Sequence, residues 1–132
     1  MSGRVDITIV PKPWGYEKVW ARTDRYAGRI LHINAGHALS VQYDNEKEET
    51  VYLLAGDLKY WVDARSEAGG RRSTSGLEEV RSRIGDAFRI TPGTIHYMEA
   101  VTDCDVLEVS TPELDDVVRL RDLYGREGTS QP

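Results

Sequence analysis

The sequence predicts an all-β fold, a sandwich or barrel of short strands in one domain, and three observations point there. Apolar stretches of about five to eight residues recur along the chain, rich in β-branched and aromatic side chains. Gly, Asp and Asn punctuate them. Within Leu39 to Asp44 the alternation is clean: Leu39, Val41 and Tyr43 point one way, and Ser40, Gln42 and Asp44 form a polar row on the other face.

Taken in order, strands are expected in "VDITIV", "GYEKVW", "GRILHIN", "ALSVQY", "ETVYLLAG" and "DLKYWVD", then in "LEEVRSR", "AFRIT", "TIHYMEA" and "CDVLEVS". Between the two groups, "DARSEAGGRRSTSG" (Asp63 to Gly76) is polar and Gly/Ser-rich, which reads as an exposed hairpin loop too short to link two domains. Near the end, "STPELDDVVRLRDLYGREG" predicts a short helix over about residues 112–124. Thr111 is its N-cap, Pro112 its first position, acids fill the first turn and Gly125 stops it. The final "GREGTSQP" reads as a frayed tail, and no internal repeat is evident.

The totals bound the function. A chain of 132 residues fits one compact domain over its whole length, large enough to bury a core. It is 39% hydrophobic and 30% charged, and no apolar run approaches the roughly 18 to 20 residues of a membrane span. A net charge of -5 argues against nucleic acid as a partner, and the one tight basic cluster, Arg71-Arg72, falls in the Gly/Ser-rich loop. "MSGRVDITIVPKPWG" lacks the features of a secretory signal, and the lone Cys104 has no partner for an internal disulfide; both predict a cytoplasmic protein.

Two segments carry a more specific pattern. The first runs Gly36, five residues, Gln42, Tyr43, Asp44, four residues, Glu49, six residues, Gly56. The second is "GDAFRITPGTIHYMEA", with Gly85, Gly93 and His96. Together they resemble the cupin superfamily, whose motifs are written G(x)5HxH(x)3-4E(x)6G and G(x)5PxG(x)2H(x)3N. The spacing is intact, but Gln42 and Asp44 replace the two histidines of the first motif. In the second, Thr91 stands at the Pro position, with Pro92 one place later, and Ala100 stands where Asn is common. "PKPWGYEKVW", "LSVQY" and "LEVSTPELDDVVRLRDLYGR" look like the small-cupin relatives of type II mannose-6-phosphate isomerases, so the resemblance covers about Lys12 to Arg126. In that subgroup Gln commonly occupies the first ligand place; Asp44 stands where it usually has His.

The resemblance implies a double-stranded β-helix, the cupin jelly-roll barrel, with a core over about residues 12–110 and the short C-terminal helix. It also implies one divalent metal ion held by Gln42, Asp44, Glu49 and His96. Gln42 and Asp44 share a strand face, Glu49 follows a short turn, and His96 comes from across the barrel. One amide, two carboxylates and one imidazole lean towards Mn²⁺, Fe²⁺ or Mg²⁺ and leave Zn²⁺ open. The alternative is a solvated barrel mouth with Glu49 as a surface acid and His96 as a hydrogen-bonded interior histidine.

Candidates for a general base are Glu49, His32 and Lys59; His32 either faces the cavity or sits in the core, and His37 falls in an exposed turn. Lys12, Trp14, Tyr52, Arg89, Arg119 and Arg126 are candidates for binding a sugar or sugar phosphate, because guanidinium forks match phosphate geometry. For Trp14 and Arg119 the alternative is closure of the barrel ends. Tyr97 is expected to face away from His96, its strand neighbour. The leading expectation is a metal-dependent isomerase acting on a sugar or sugar phosphate, working as a homodimer. The alternatives are a non-catalytic sugar-binding cupin with a degenerate metal site and a cupin dioxygenase.

Overall fold

The computed structural model describes residues 2–63 and 76–129. They contain twelve strands: β1 Thr8–Lys12, β2 Gly15–Arg22, β3 Ala27–Ile33, β4 Val41–Asp44, β5 Glu49–Ala55, β6 Leu58–Val62, β7 Glu78–Ser82, β8 Ala87–Ile90, β9 His96–Ala100, β10 Cys104–Ser110, β11 Val117–Arg121 and β12 Gly128–Thr129. All ten apolar segments become strands. No helix of the described residues is long and apolar enough to cross a membrane.

Two six-stranded antiparallel sheets face each other, in the orders β1-β2-β3-β10-β5-β8 and β12-β11-β4-β9-β6-β7. From β3 to β6 and from β7 to β11 the chain changes sheet at nearly every step, the wrapping of a jelly-roll barrel. Period-two burial follows from this: in β5, Glu49, Val51 and Leu53 are buried while Thr50, Tyr52 and Leu54 are exposed.

The interior divides into two halves. One is apolar, built on Trp14, Leu31, Ile33, Leu53, Tyr60, Met98, Cys104 and Val106. The register of β3, β10 and β5 sets Arg29 opposite Glu108 and Ser110 opposite Glu49, so inward positions one step further along the same strands are charged. Gly56, the last glycine of the first motif, turns the chain from β5 to β6 at φ +95°, where a Cβ would overlap the Asp103 carbonyl oxygen and Cys104 Sγ.

Three expectations are corrected or displaced. Among the described residues there is no C-terminal helix: Val117–Arg121 is β11, which pairs Val117 with Asp44, Val118 with Tyr43 and Arg119 with Gln42. The open edge of β4 offers backbone partners to a β-branched segment, and tertiary pairing outweighs the weak helical propensity of that stretch. The expected cap residues serve another turn: Thr111 Oγ1 accepts the Glu48 N–H at 3.0 Å, and Asp116 Oδ2 accepts the N–H groups of Glu46 and Lys47 at 2.5 and 2.9 Å. The tail is not wholly frayed, since Gly128–Thr129 pairs with β11. Residues 64–75, with the expected hairpin loop and Arg71-Arg72, and residues 130–132 lie outside the described residues.

Candidate functional site

The polar row of β4 turns inward. Ser40, Gln42 and Asp44 line one cavity together with Glu49 and His96. Gln42 and His96 sit opposite each other on β4 and β9, and the Gly93 N–H donates to the Asp44 carbonyl at 2.8 Å, tying the second motif to the first. Asp44, Glu49 and His96 are buried, and each offers a ligand atom within 4.8 Å of the others. Gln42 Oε1 accepts a hydrogen bond from Ser40 Oγ at 2.8 Å.

His96 is held for a role at Nε2. Its Nδ1 lies 2.8 Å from the Thr94 carbonyl, which can only accept, so Nδ1 carries the proton and Nε2 faces Glu49 Oε1 at 3.3 Å. Burial alone would lower the His96 pKa, but Glu49 and Asp44 outweigh it and raise it.

The loop between β4 and β5 contributes an unanticipated residue. Asp116 and Thr111 hold its backbone so that Lys47 points inward, with its side chain only 5% exposed. Lys47 Nζ lies 3.2 Å from Glu49 Oε2 and 3.8 Å from both Asp44 Oδ2 and Glu108 Oε1. The contact with Glu49 is an ion pair without hydrogen-bond alignment, since Oε2 is buried with no hydrogen-bond partner. Burial opposes the charge on Lys47, yet Glu108 and Glu49 raise its pKa well above the usual lysine value. Burial would likewise raise Glu49, but Lys47, Glu108 and His96 hold it below the usual carboxylate range. Asp44 differs: burial prevails over Lys47 and His96, and its pKa is raised.

Lys47 belongs to a chain of alternating charge across the barrel. Arg29 donates from Nη1 to Glu17 Oε2 at 2.5 Å and from Nε to Glu108 Oε2 at 2.7 Å. Lys12 Nζ stands 3.4 Å from Glu17 Oε1. The sequence of charges is therefore Lys12, Glu17, Arg29, Glu108, Lys47, Glu49, His96. A periodicity signal for three of them was present: Glu17, Arg29 and Glu108 are in phase with buried positions of their strands. A charged residue at a buried position is far more informative than one on a solvated face.

The same cavity is lined by Trp14, Arg119 and Arg126, with Arg119 paired to Gln42 across β11 and β4. Trp14 is 3% exposed and belongs to the core cluster as well. The Arg126 guanidinium is fixed by Asp122, donating from Nε at 2.9 Å and Nη2 at 3.1 Å.

The remaining candidates lie elsewhere. His32 is half-buried on the outer face of β3, neither in the core nor in the cavity; its Nδ1 is 2.7 Å from Asp105 Oδ1 and its ring stacks on Tyr16. Lys59 is on the outer face of β6, 3.9 Å from Glu99. Tyr52 is exposed on the outer face of β5, and Arg89, also exposed, donates to Glu48 at 2.8 Å. Strand parity puts all four outside the barrel. His37 is half-buried against the Tyr124 hydroxyl at 2.7 Å, and Tyr97 stacks on Trp61 away from the cavity.

The donor set suits a divalent ion: two carboxylates, a correctly protonated imidazole and a neighbouring amide, with Glu49 Oε2 buried and without a hydrogen-bond partner. The charge that the chain itself sets against these acids is the Lys47 ammonium.

No family model matches the chain. It is 31% identical over 123 residues to mannose-1-phosphate guanylyltransferase of Escherichia coli K12, covering 89% of this chain and 23% of that protein. The chain thus spans about a quarter of the length of the curated relatives it matches. Among solved structures, it is similar to an RmlC-like cupin from Shewanella frigidimarina at a TM-score of 0.63 and 14% identity, covering 83% of this chain and 87% of that one. It is also similar to the capsular polysaccharide assembling protein CapF of Staphylococcus aureus, at a TM-score of 0.65 and 13% identity over 90% of this chain and 33% of that one. With its two antiparallel sheets and jelly-roll order of strands, the chain has the jelly-roll fold of these cupin structures.

Proposed function

We propose that this chain is a metal-binding cupin that isomerises a sugar phosphate. The observation that carries the reading is the convergence of Asp44, Glu49 and His96 beside Gln42 in one cavity. The likeness to a mannose-1-phosphate guanylyltransferase and to a polysaccharide assembling protein supports a sugar derivative as ligand. A divalent ion held by Gln42, Asp44, Glu49 and His96, with Mn²⁺, Fe²⁺ and Zn²⁺ as the candidates, supplies Lewis acidity toward a carbonyl or hydroxyl oxygen.

The chain's own groups do the proton work. Glu49, through the carboxylate oxygen that does not hold the ion, takes the proton from the carbon beside the carbonyl as that C–H bond breaks, then returns it to the former carbonyl carbon, while the hydroxyl proton passes between the two oxygens. Lys47, held protonated, steadies the negative charge that develops on those oxygens. The protein works in the cytoplasm, where Cys104 stays reduced.

It works there as a homodimer. On the outer face of the first sheet the register aligns Ile9, Lys18, Ile30, Leu107 and Tyr52 in one row, with Leu54 and Val109 exposed beside it. Light scattering should give twice the chain mass, and Leu107→Glu should reduce it to one.

The test of the central reading is metal content after dialysis, by plasma mass spectrometry, joined to proton NMR of mannose 6-phosphate in D₂O. About one ion per chain and metal-dependent deuterium at the carbon beside the carbonyl are expected. Substoichiometric metal that added ions do not restore would sink the isomerase. A second reading, a sugar-binding cupin without turnover, is favoured by the Lys47 ammonium already set against the same acids. It expects ligand binding with no deuterium incorporation.

A further inference from the structure

Arg119 and Arg126 are each 7% exposed, and both line the cavity. Arg119 Nε and Nη1 and Arg126 Nη1 are buried and find no hydrogen-bond acceptor among the described residues. A buried guanidinium N–H without an acceptor is costly. Two such groups in one cavity, with Lys12 lining it too, are costlier still. Burial and then the charge of Arg126 lower the Arg119 pKa, and Lys12 is lowered by burial against the opposing charge of Glu17, with Arg119 adding to the lowering.

The acids nearby do not resolve this. Glu17 and Glu108 are taken by Arg29, Glu49 faces Lys47 and His96, and Asp122 holds the other two nitrogens of Arg126. That fork leaves Nη1 of Arg126 directed away from Asp122, with its plane fixed. What the free N–H groups lack is an oxyanion, and guanidinium pairs match the spacing of phosphate oxygens. The cavity is about 60 Å³ and partly open, so it can seat a phosphate group while the rest of the ligand reaches into the opening.

We infer that Arg119 and Arg126, with Lys12, form a phosphate-monoester subsite beside the acid cluster in the same cavity. This rests on the reading of the cavity as a sugar-derivative site, but the subsite uses none of the acids as ligands and binds its anion with or without metal. Arg126 is the preoriented member, and Arg119 the one whose donors are freest.

The test is calorimetric titration of the full chain in chelator with inorganic phosphate, glucose 6-phosphate, glucuronate and glucose. Phosphate and glucose 6-phosphate should bind, with glucuronate at least tenfold weaker and glucose silent. Arg119→Gln and Arg126→Gln should each weaken phosphate at least tenfold, while Arg89→Gln, on the outer surface, leaves it unchanged. No phosphate binding by the unaltered chain, glucuronate as tight as phosphate, or equal effects of Arg119→Gln and Arg89→Gln would each overturn the inference. Should the glutamine variants fail to fold, Arg119→Lys, which keeps the charge and loses the fork, and ³¹P line broadening on the unaltered chain decide it. Phosphate binding without restorable metal upholds the subsite and removes the isomerase; stoichiometric metal without phosphate binding does the reverse.

Discussion

Replacing Lys47 with Met tests the charge cluster most directly. Lys47, Asp44, Glu49 and Glu108 have side chains no more than 5% exposed, and the ammonium lies within 3.8 Å of all three acids. Methionine keeps the length of the stem and removes the charge, leaving Asp44 and Glu49 without their lysine and Glu108 with Arg29 alone. Removing one partner of a buried ion pair costs about 3 to 5 kcal/mol. For 132 residues the unfolding entropy is about 0.28 kcal/mol/K, so the melting temperature in chelator should fall by roughly 10 to 18 °C. A divalent ion re-supplies the missing charge: at a hundredfold excess over its dissociation constant it restores about 2.7 kcal/mol, roughly 10 °C. Scanning calorimetry with and without Mn²⁺ gives both numbers. Lys47→Met melting within about 2 °C of the parent would refute the cluster as drawn, and a Mn²⁺ response absent from both proteins would refute the metal site. Adding Glu49→Gln to Lys47→Met should recover part of the loss, since the interaction energy is shared.

Other consequences are as direct. Asp44→His adds a second imidazole to the donor set and should tighten Zn²⁺ binding by roughly tenfold, read by competition with a chromophoric chelator; unchanged affinity would mean that Asp44 is not a ligand. His96, raised by Glu49 and Asp44, contributes stability that is fully present below its unfolded value of about 6.5 and lost as pH rises through its folded value. Metal must displace that proton, so affinity should climb about tenfold per pH unit as pH rises toward the folded value and level off above it; a flat profile would remove His96 from the donor set. Cys104 is fully buried, and burial together with Asp57, Asp105 and Asp103 pushes its pKa up to about 11. A thiol reagent at pH 8 should therefore report its thiol only at the rate of unfolding, and fast labelling of the native chain would contradict this.

The strand series was legible because period-two burial is a local property: each apolar segment carries its own inward and outward faces. Gln42 and Asp44 could be assigned to one shared face from the parity of "LSVQYD" alone, while the structure shows that this face lines the cavity. The helix expected near Val117 was local reasoning too, and it failed because the open edge of β4 lies far away in sequence. Lys47 looked like one charge in an acidic run; only Asp116 and Thr111, some 60 to 70 positions away, turn it inward.

What the sequence by itself determined is the strand content, the motif spacing, and the one strand face shared by Gln42 and Asp44. Only the tertiary structure decided which charges meet. Arg29 with Glu108, Lys47 with Glu108, and Glu49 with His96 depend on strands far apart in the sequence. Backbone alternation is fixed by neighbours along the chain, whereas the balance of a buried charge is fixed by neighbours in space.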